Sequence, residues 1–195
     1  GDTEEHGTKI AFKPDPEIFE ETHFKYDILL DRLREQAFLN AGININIADE
    51  RDPGEPVVTQ LHYEGGIVSF VDHIHQKKDM TVLHEDIIYF TAKNPNGDAE
   101  VAMQYNDSYN SVILSFANNI HTGDGGTHEL GFKNALTRVM NDYARKNGIL
   151  KEKDANLSGD DVREGLTAIV SVKLQEAQFE GQTKGKLGNS EVEGM

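Results

Sequence analysis

Cysteine is absent from the 195 residues, which excludes disulfides, thiolate metal sites and a cysteine nucleophile. Cationic side chains are scarce. Nineteen Lys and Arg face 34 Asp and Glu, for a formal net charge of −15. A free-standing nucleic-acid binder is usually basic, so the balance argues against broad non-specific affinity for DNA over the whole surface, while one local basic surface is not excluded. No run approaches the ~20 apolar residues of a membrane span. The opening Gly1-Asp2-Thr3-Glu4-Glu5 has neither the basic nor the apolar region of a secretory signal. These absences fit a cytoplasmic location and no membrane partner. The length allows one domain or two small ones with a proper core.

What is there alternates between helical and extended patterns. Thr8-Lys9-Ile10-Ala11-Phe12 reads as a strand ended by Pro14 and Pro16. Phe24 to Asn40 reads as a helix with an apolar stripe of Ile28, Leu29, Leu33, Ala37 and Phe38, stopped at Gly42. Ile43, Ile45 and Ile47 alternate with asparagines as a half-buried strand. Asp52-Pro53-Gly54 turns the chain, and Leu61-His62-Tyr63 returns. Gly65-Gly66 opens a helix, Ile67 to Gln76, with Ile67, Phe70, Val71 and Ile74 inward. Strands follow at Ile87 to Ala92 and Ala99 to Tyr105, joined by the turn dipeptide Asn96-Gly97, and then at Val112 to Phe116. A long helix, Thr127 to Lys146, is expected to bury Phe132, Leu136, Val139, Met140 and Tyr143 before Gly148 ends it. Ser158-Gly159-Asp160-Asp161 reads as a capped helix start. Leu166 to Val172 is a nearly continuous apolar run suited to a central strand. The best domain boundary is near Glu64-Gly65-Gly66.

Chemistry concentrates in Gln178 to Val192, a polar, glycine-punctuated stretch carrying Lys184 and Lys186 in an otherwise acidic chain. Glutamine amides and a lysine ammonium on a flexible loop suit an anion, such as the terminal phosphate of a nucleotide. The plain alternative is a solvated loop. Other groups carry less. His73 and His75 are two apart on a helix and point different ways, so no metal site is read there. Gly123-Asp124-Gly125-Gly126 lacks the Lys-Ser/Thr ending of a phosphate-binding P-loop and reads as a bend.

Several motifs, in fixed order, carry a resemblance. They are His62-Tyr63-Glu64-Gly65-Gly66, Asn118-Asn119-Ile120-His121-Thr122, Gly125-Gly126-Thr127-His128-Glu129, Ser158 through Ala168, and Gln182-Thr183-Lys184. The chain resembles the ATPase subunits of bacterial type IIA DNA topoisomerases, the gyrase branch most closely and the topoisomerase IV branch as the alternative. The resemblance implies that residues 1–64 are the C-terminal part of a GHKL (Bergerat-type) ATPase domain, an α/β sandwich. Residues 65–195 would be a transducer domain, an α+β fold with a left-handed β-α-β crossover, a superfold shared with some ribosomal proteins and GHMP kinases.

The same resemblance implies the site. Gln182 and Lys184 would reach the nucleotide γ-phosphate, with Lys184 also neutralising charge on the transferring group. Thr8 matches a threonine whose hydroxyl helps hold adenine through water; a strand-edge threonine is the alternative. Lys133, and more weakly Arg138, match basic positions facing the DNA that passes through the family's dimer; ordinary exposed cations are the alternative. ATP and Mg2+ would be the cofactors of the full subunit, neither bound by this stretch alone. Partners would be the gyrase A subunit, a second copy in an A2B2 assembly, and double-stranded DNA. The family's catalytic glutamate, magnesium-binding asparagine, adenine-binding aspartate and glycine-rich lid all precede Thr8. The chain is thus expected to be a piece of such a subunit that does not hydrolyse ATP alone. Ala177 and Gly185 stand where relatives often have Pro and Thr. A non-catalytic interaction module with the same fold is a further alternative. A small-molecule kinase of that superfold would need a serine-bearing, glycine-rich phosphate loop, which is not found.

Overall fold

The computed structural model describes residues 6–195 except Pro53. Two helices and two strands come first after an irregular stretch: α1 (Tyr26–Leu39), β1 (Asn44–Asp49), β2 (Val57–His62) and α2 (Gly66–Lys78). Then come β3 (Ile88–Asn94), β4 (Gly97–Tyr105), β5 (Val112–Ala117), β6 (Ile120–His121), α3 (Thr127–Lys146), α4 (Gly159–Arg163) and β7 (Leu166–Leu174). The chain closes with β8 (Phe179–Glu180), β9 (Lys186–Leu187) and a 3₁₀ turn, Ser190–Val192.

The apolar run at 166–174 does what such a run must. β7 lies inside a five-stranded sheet of order β3-β4-β7-β5-β6 and is buried along almost its whole length. It pairs antiparallel with β4 and parallel with β5. The parallel partners β5 and β7 are joined through α3, a β-α-β unit, because a hairpin cannot join parallel strands. Alternation sends Ala102 and Ile169 to one face, where α1 and α2 supply Phe38, Leu39, Ile67, Phe70, Val71 and Ile74. Met103 and Ala168 point to the other face, towards Leu136 of α3 and Val162 of α4.

The first core crosses the expected boundary at residue 64. Phe38 stacks on Tyr63 at 3.9 Å and on Phe70 at 4.7 Å. The end of α1 is also tied to the β5–β6 turn: Gln36 Nε2 donates to Asn119 O, and Asn119 Nδ2 to Asn40 Oδ1. That turn is Asn118-Asn119, both at positive φ, as a tight two-residue hairpin requires.

Four expectations are corrected. Thr8 to Phe12 forms no strand; it pairs with no strand among the described residues, and Ile10 and Phe12 are exposed. The β3–β4 turn is Pro95-Asn96, with Gly97 already paired to Asn94. The register slips by one because Asn94 Oδ1 accepts from the backbone N–H groups of Asn96 and Gly97, closing the turn a residue early. The α1 stripe is buried only at its end: Ala37, Phe38 and Leu39 are inside, while Ile28 and Leu29 are exposed. The α3 stripe is rotated. Leu136 is buried, but Val139, Met140 and Tyr143 are exposed, and His128, Asn141 and Ala144 turn inward instead. Asn141 explains the rotation. Its amide donates to Leu157 O and accepts from Leu157 N, holding the 149–158 connection against the helix. The Ser158 cap is as read: Ser158 Oγ accepts from Asp161 N, and Ser158 N donates to Asp161 Oδ2.

Candidate functional site

The Lys184 loop is the tip of a short hairpin. β8 and β9 contribute two antiparallel pairs, Phe179 with Leu187 and Glu180 with Lys186, and residues 181–185 span the tip. Gly181 turns the chain at φ +76°, and Lys184 itself sits in the left-handed region at φ +55°. A non-glycine residue there is uncommon and marks a constrained position. Gln182 and Lys184 are both exposed. The two cations of the hairpin differ sharply. Lys186 Nζ is 3.0 Å from Glu180 Oε2. Among the described residues Lys184 has no carboxylate within salt-bridge reach; its Nζ lies 5.8 Å from the centroid of the Phe179 ring. Gly185 lets Asp124 lie close over the loop, since a Cβ there would come within 2.5 Å of Asp124 Oδ2.

The return arm of the hairpin rests on the start of α3. Asp124 N donates to Gly185 O and Leu187 N to Gly125 O, and Gly126 bridges Leu187 in parallel. Just beyond lies a polar network that sequence reasoning did not single out. Ser115 Oγ donates to Glu129 Oε2 at 2.6 Å, and Lys133 Nζ donates to Glu129 Oε1 at 2.5 Å. Burial works to raise the Glu129 pKa, but the Lys133 and Ser115 hydrogen bonds prevail and hold it below the ordinary value. The i,i+4 spacing of Glu129 and Lys133 was the available signal.

His128 is buried in the same network. Thr122 Oγ1 donates to Ser115 O and so accepts from His128 Nε2, leaving Nδ1 without a partner. Burial pushes the His128 pKa down to about 4. The folded chain therefore binds fewer protons than the unfolded one below the ordinary histidine range. Stability is full above pH ~6.5 and falls as pH drops towards ~4. Burial acts on His73 and His75 in the same direction. His62 runs the opposite way, raised by the Ile43 carbonyl and then Glu64, but it is exposed. Urea unfolding at pH 7 and pH 5 is expected to show a loss of about 2 kcal/mol due to His128. His128→Gln should remove most of that slope.

The remaining candidates are scattered. Thr8 lies in the exposed irregular stretch before α1. Lys133 is turned onto Glu129 and only about a third exposed. Arg138 lies five residues further along α3, on another face, and lines an open polar groove with Asn134, Asn156 and Arg163. The structure thus brings Gln182 and Lys184 together on one tip and leaves Thr8, Lys133 and Arg138 in separate surroundings.

Known proteins resemble this chain in sequence and in fold. The profile of the DNA gyrase B family matches residues 66–195. The chain is 60% identical over 195 residues to the DNA gyrase B protein of Clostridium acetobutylicum, covering 100% of this chain and 30% of that protein. For the gyrase B protein of Halalkalibacterium halodurans the identity is 57% over 193 residues, covering 98% and 30%. Among solved structures, the 43K ATPase domain of Thermus thermophilus gyrase B, in complex with an aminocoumarin, aligns with a TM-score of 0.76 at 41% identity. That alignment covers 93% of this chain and 48% of the other. The Francisella tularensis topoisomerase IV ATP-binding domain, in complex with a small-molecule inhibitor, gives 0.72 at 26% identity, covering 93% and 47%. The chain spans about 30% of the length of the curated relatives it matches. With a family profile over its last 130 residues and high identity from end to end, the chain belongs to the DNA gyrase B family.

Proposed function

We propose that this chain works within the ATPase subunit of a DNA gyrase, an isomerase that uses ATP to pass one duplex through another and introduce negative supercoils. Its part is to couple nucleotide state to the dimer gate. The observation that carries this reading is the Lys184 ammonium: exposed, on a constrained tip, and without an acidic partner among the described residues while the neighbouring Lys186 has one. In a chain of net charge −15 such a cation suits an anion supplied from outside. A γ-phosphate is that anion in this reading, with Gln182 donating beside it. A contact made to ATP and not to ADP is what lets a nucleotide shift a conformational equilibrium. Magnesium would arrive with the triphosphate.

Residues 1–64 close a GHKL nucleotide-binding domain, to which Thr8 contributes at the adenine, and residues 65–195 form the transducer. The start of the family profile at residue 66 supports that division. Arg138, exposed beside Arg163, is better placed to face passing DNA than Lys133, which Glu129 engages. The partners are the gyrase A subunit, a second copy of the ATPase subunit and double-stranded DNA, in the cytoplasm. Among the described residues no helix is long and apolar enough to cross a membrane. The 195-residue chain by itself is expected to turn over ATP only at background, while the full-length protein assembled with gyrase A turns it over and supercoils DNA. Turnover by the isolated chain at the full-length rate would overturn the proposal.

A further inference from the structure

The Lys184 hairpin is too small to hold its own shape. Two pairs of residues join its arms, and an isolated two-stranded hairpin is marginal in water even when longer. Its tip nevertheless keeps a lysine at positive φ. Something outside the hairpin must fix it. On one side this is the start of α3. A Cβ on Gly126 would come within 2.6 Å of both the N and O of Leu187, so the two backbones lie in direct contact. Leu187 is fully buried beneath them.

The other attachment is at the base, and one side chain makes it. Asn189 is 2% exposed. Its Oδ1 accepts from Gln178 N at 2.7 Å. Its Nδ2 donates to Glu176 O at 3.0 Å and to Glu191 Oε1 at 2.8 Å. Gly188 N, one residue earlier, donates to Gln178 O at 2.8 Å and closes the same junction. The amide therefore uses both donor hydrogens and its acceptor across the two strands entering and leaving the loop. No other side chain of this size offers that set: aspartate accepts only, and serine has a single donor.

We propose that Asn189 is the positioning residue for Lys184. It clamps the base of the hairpin so that the ammonium is presented in one direction, towards the triphosphate. This rests on the phosphate reading of Lys184 given above. Asn189 touches neither nucleotide nor reacting atoms; it acts through the backbone of residues 176–178. Misdirecting a charged group by about 1 Å is enough to lose much of its contribution.

The test uses the full-length protein assembled with gyrase A. Affinities for a non-hydrolysable ATP analogue and for ADP are measured in wild type, Lys184→Ala, Asn189→Ala and the double variant. The expected result for Asn189→Ala is a loss of at least about 10-fold in analogue affinity with ADP affinity unchanged. The double variant should be no worse than Lys184→Ala, because the two residues would act as one unit. An equal loss of both nucleotides would show a merely structural role and overturn the proposal. So would losses that add in the double variant, or an Asn189→Ala protein that discriminates normally while Lys184→Ala does not. If Lys184→Ala itself discriminates normally, the phosphate reading fails and the positioning role falls with it. Asn189→Asp keeps the acceptor for Gln178 N and loses both donors; it carries the same test if the alanine variant does not fold.

Discussion

Replacing Lys184 by alanine in the full-length protein is expected to reduce ATP-dependent supercoiling by about 100-fold or more, the usual cost of removing one preorganised donor from a developing charge. The size of the effect follows from the isolation of the ammonium. A lysine already paired with a carboxylate must break that pair before it can serve a phosphate. Lys184 has no such partner among the described residues and approaches only an aromatic ring. Lys186→Ala is the internal control. Lys186 belongs to Glu180, so its loss removes an exposed pair worth little and should leave supercoiling within about two-fold of normal. Lys184→Arg should not rescue fully, because a planar fork does not replace a compact charge at a constrained backbone position. Supercoiling of relaxed plasmid and steady-state ATP turnover read the outcome. Undiminished activity of Lys184→Ala in both would remove the basis for the coupling role.

Phe38→Ala is expected to destabilise the chain by about 3–5 kcal/mol, the range for emptying a buried phenylalanine site. The ring is 1% exposed and lies between Tyr63 and Phe70, with Val71, Ala102 and Ile169 in the same cluster. These neighbours come from both sides of residue 64. The consequence is specific: α1 and the five-stranded sheet should lose stability together. Urea unfolding followed by circular dichroism and by tyrosine fluorescence should give one shared transition in wild type, displaced to lower urea in the variant. Two separate transitions, with only the first displaced, would show that α1 folds independently of the sheet.

What could be read beforehand follows from how local the cause is. β7 and α2 were legible because burial on both sides of a strand, or along one stripe of a helix, leaves an unbroken hydrophobic period. The Ser158 cap was legible because its partner Asp161 is three residues away. The α3 rotation was not, since Asn141 turns inward to hold Leu157 and His128 to meet Thr122, and a polar residue on a helix is read as outward by default. The Pro95-Asn96 turn was missed because Asn94, a side chain before the turn, sets the register. Thr8 to Phe12 shows the opposite failure: alternation describes a strand's faces, but only a paired neighbour makes one. The Gln182 and Lys184 loop stood out as amides and a cation among glycines in an acidic chain, and motif resemblance gave each residue its role; no periodicity would have named them. Asn189 was invisible in both ways, because an asparagine in a polar loop reads as solvated until its three partners are placed around it.

The sheet order has one more consequence, for synthesis. β7 is the strand that joins β4 to β5, yet it is made after both and after the long helix between. While the ribosome extends the chain through residues 118–165, the inner edges of β4 and β5 have no mate. Pairings this distant in sequence form slowly and leave sticky edges exposed meanwhile. A newly made chain paused before Leu166 therefore carries two unpaired inner strand edges, and a stall there should favour aggregation over a stall after Leu174.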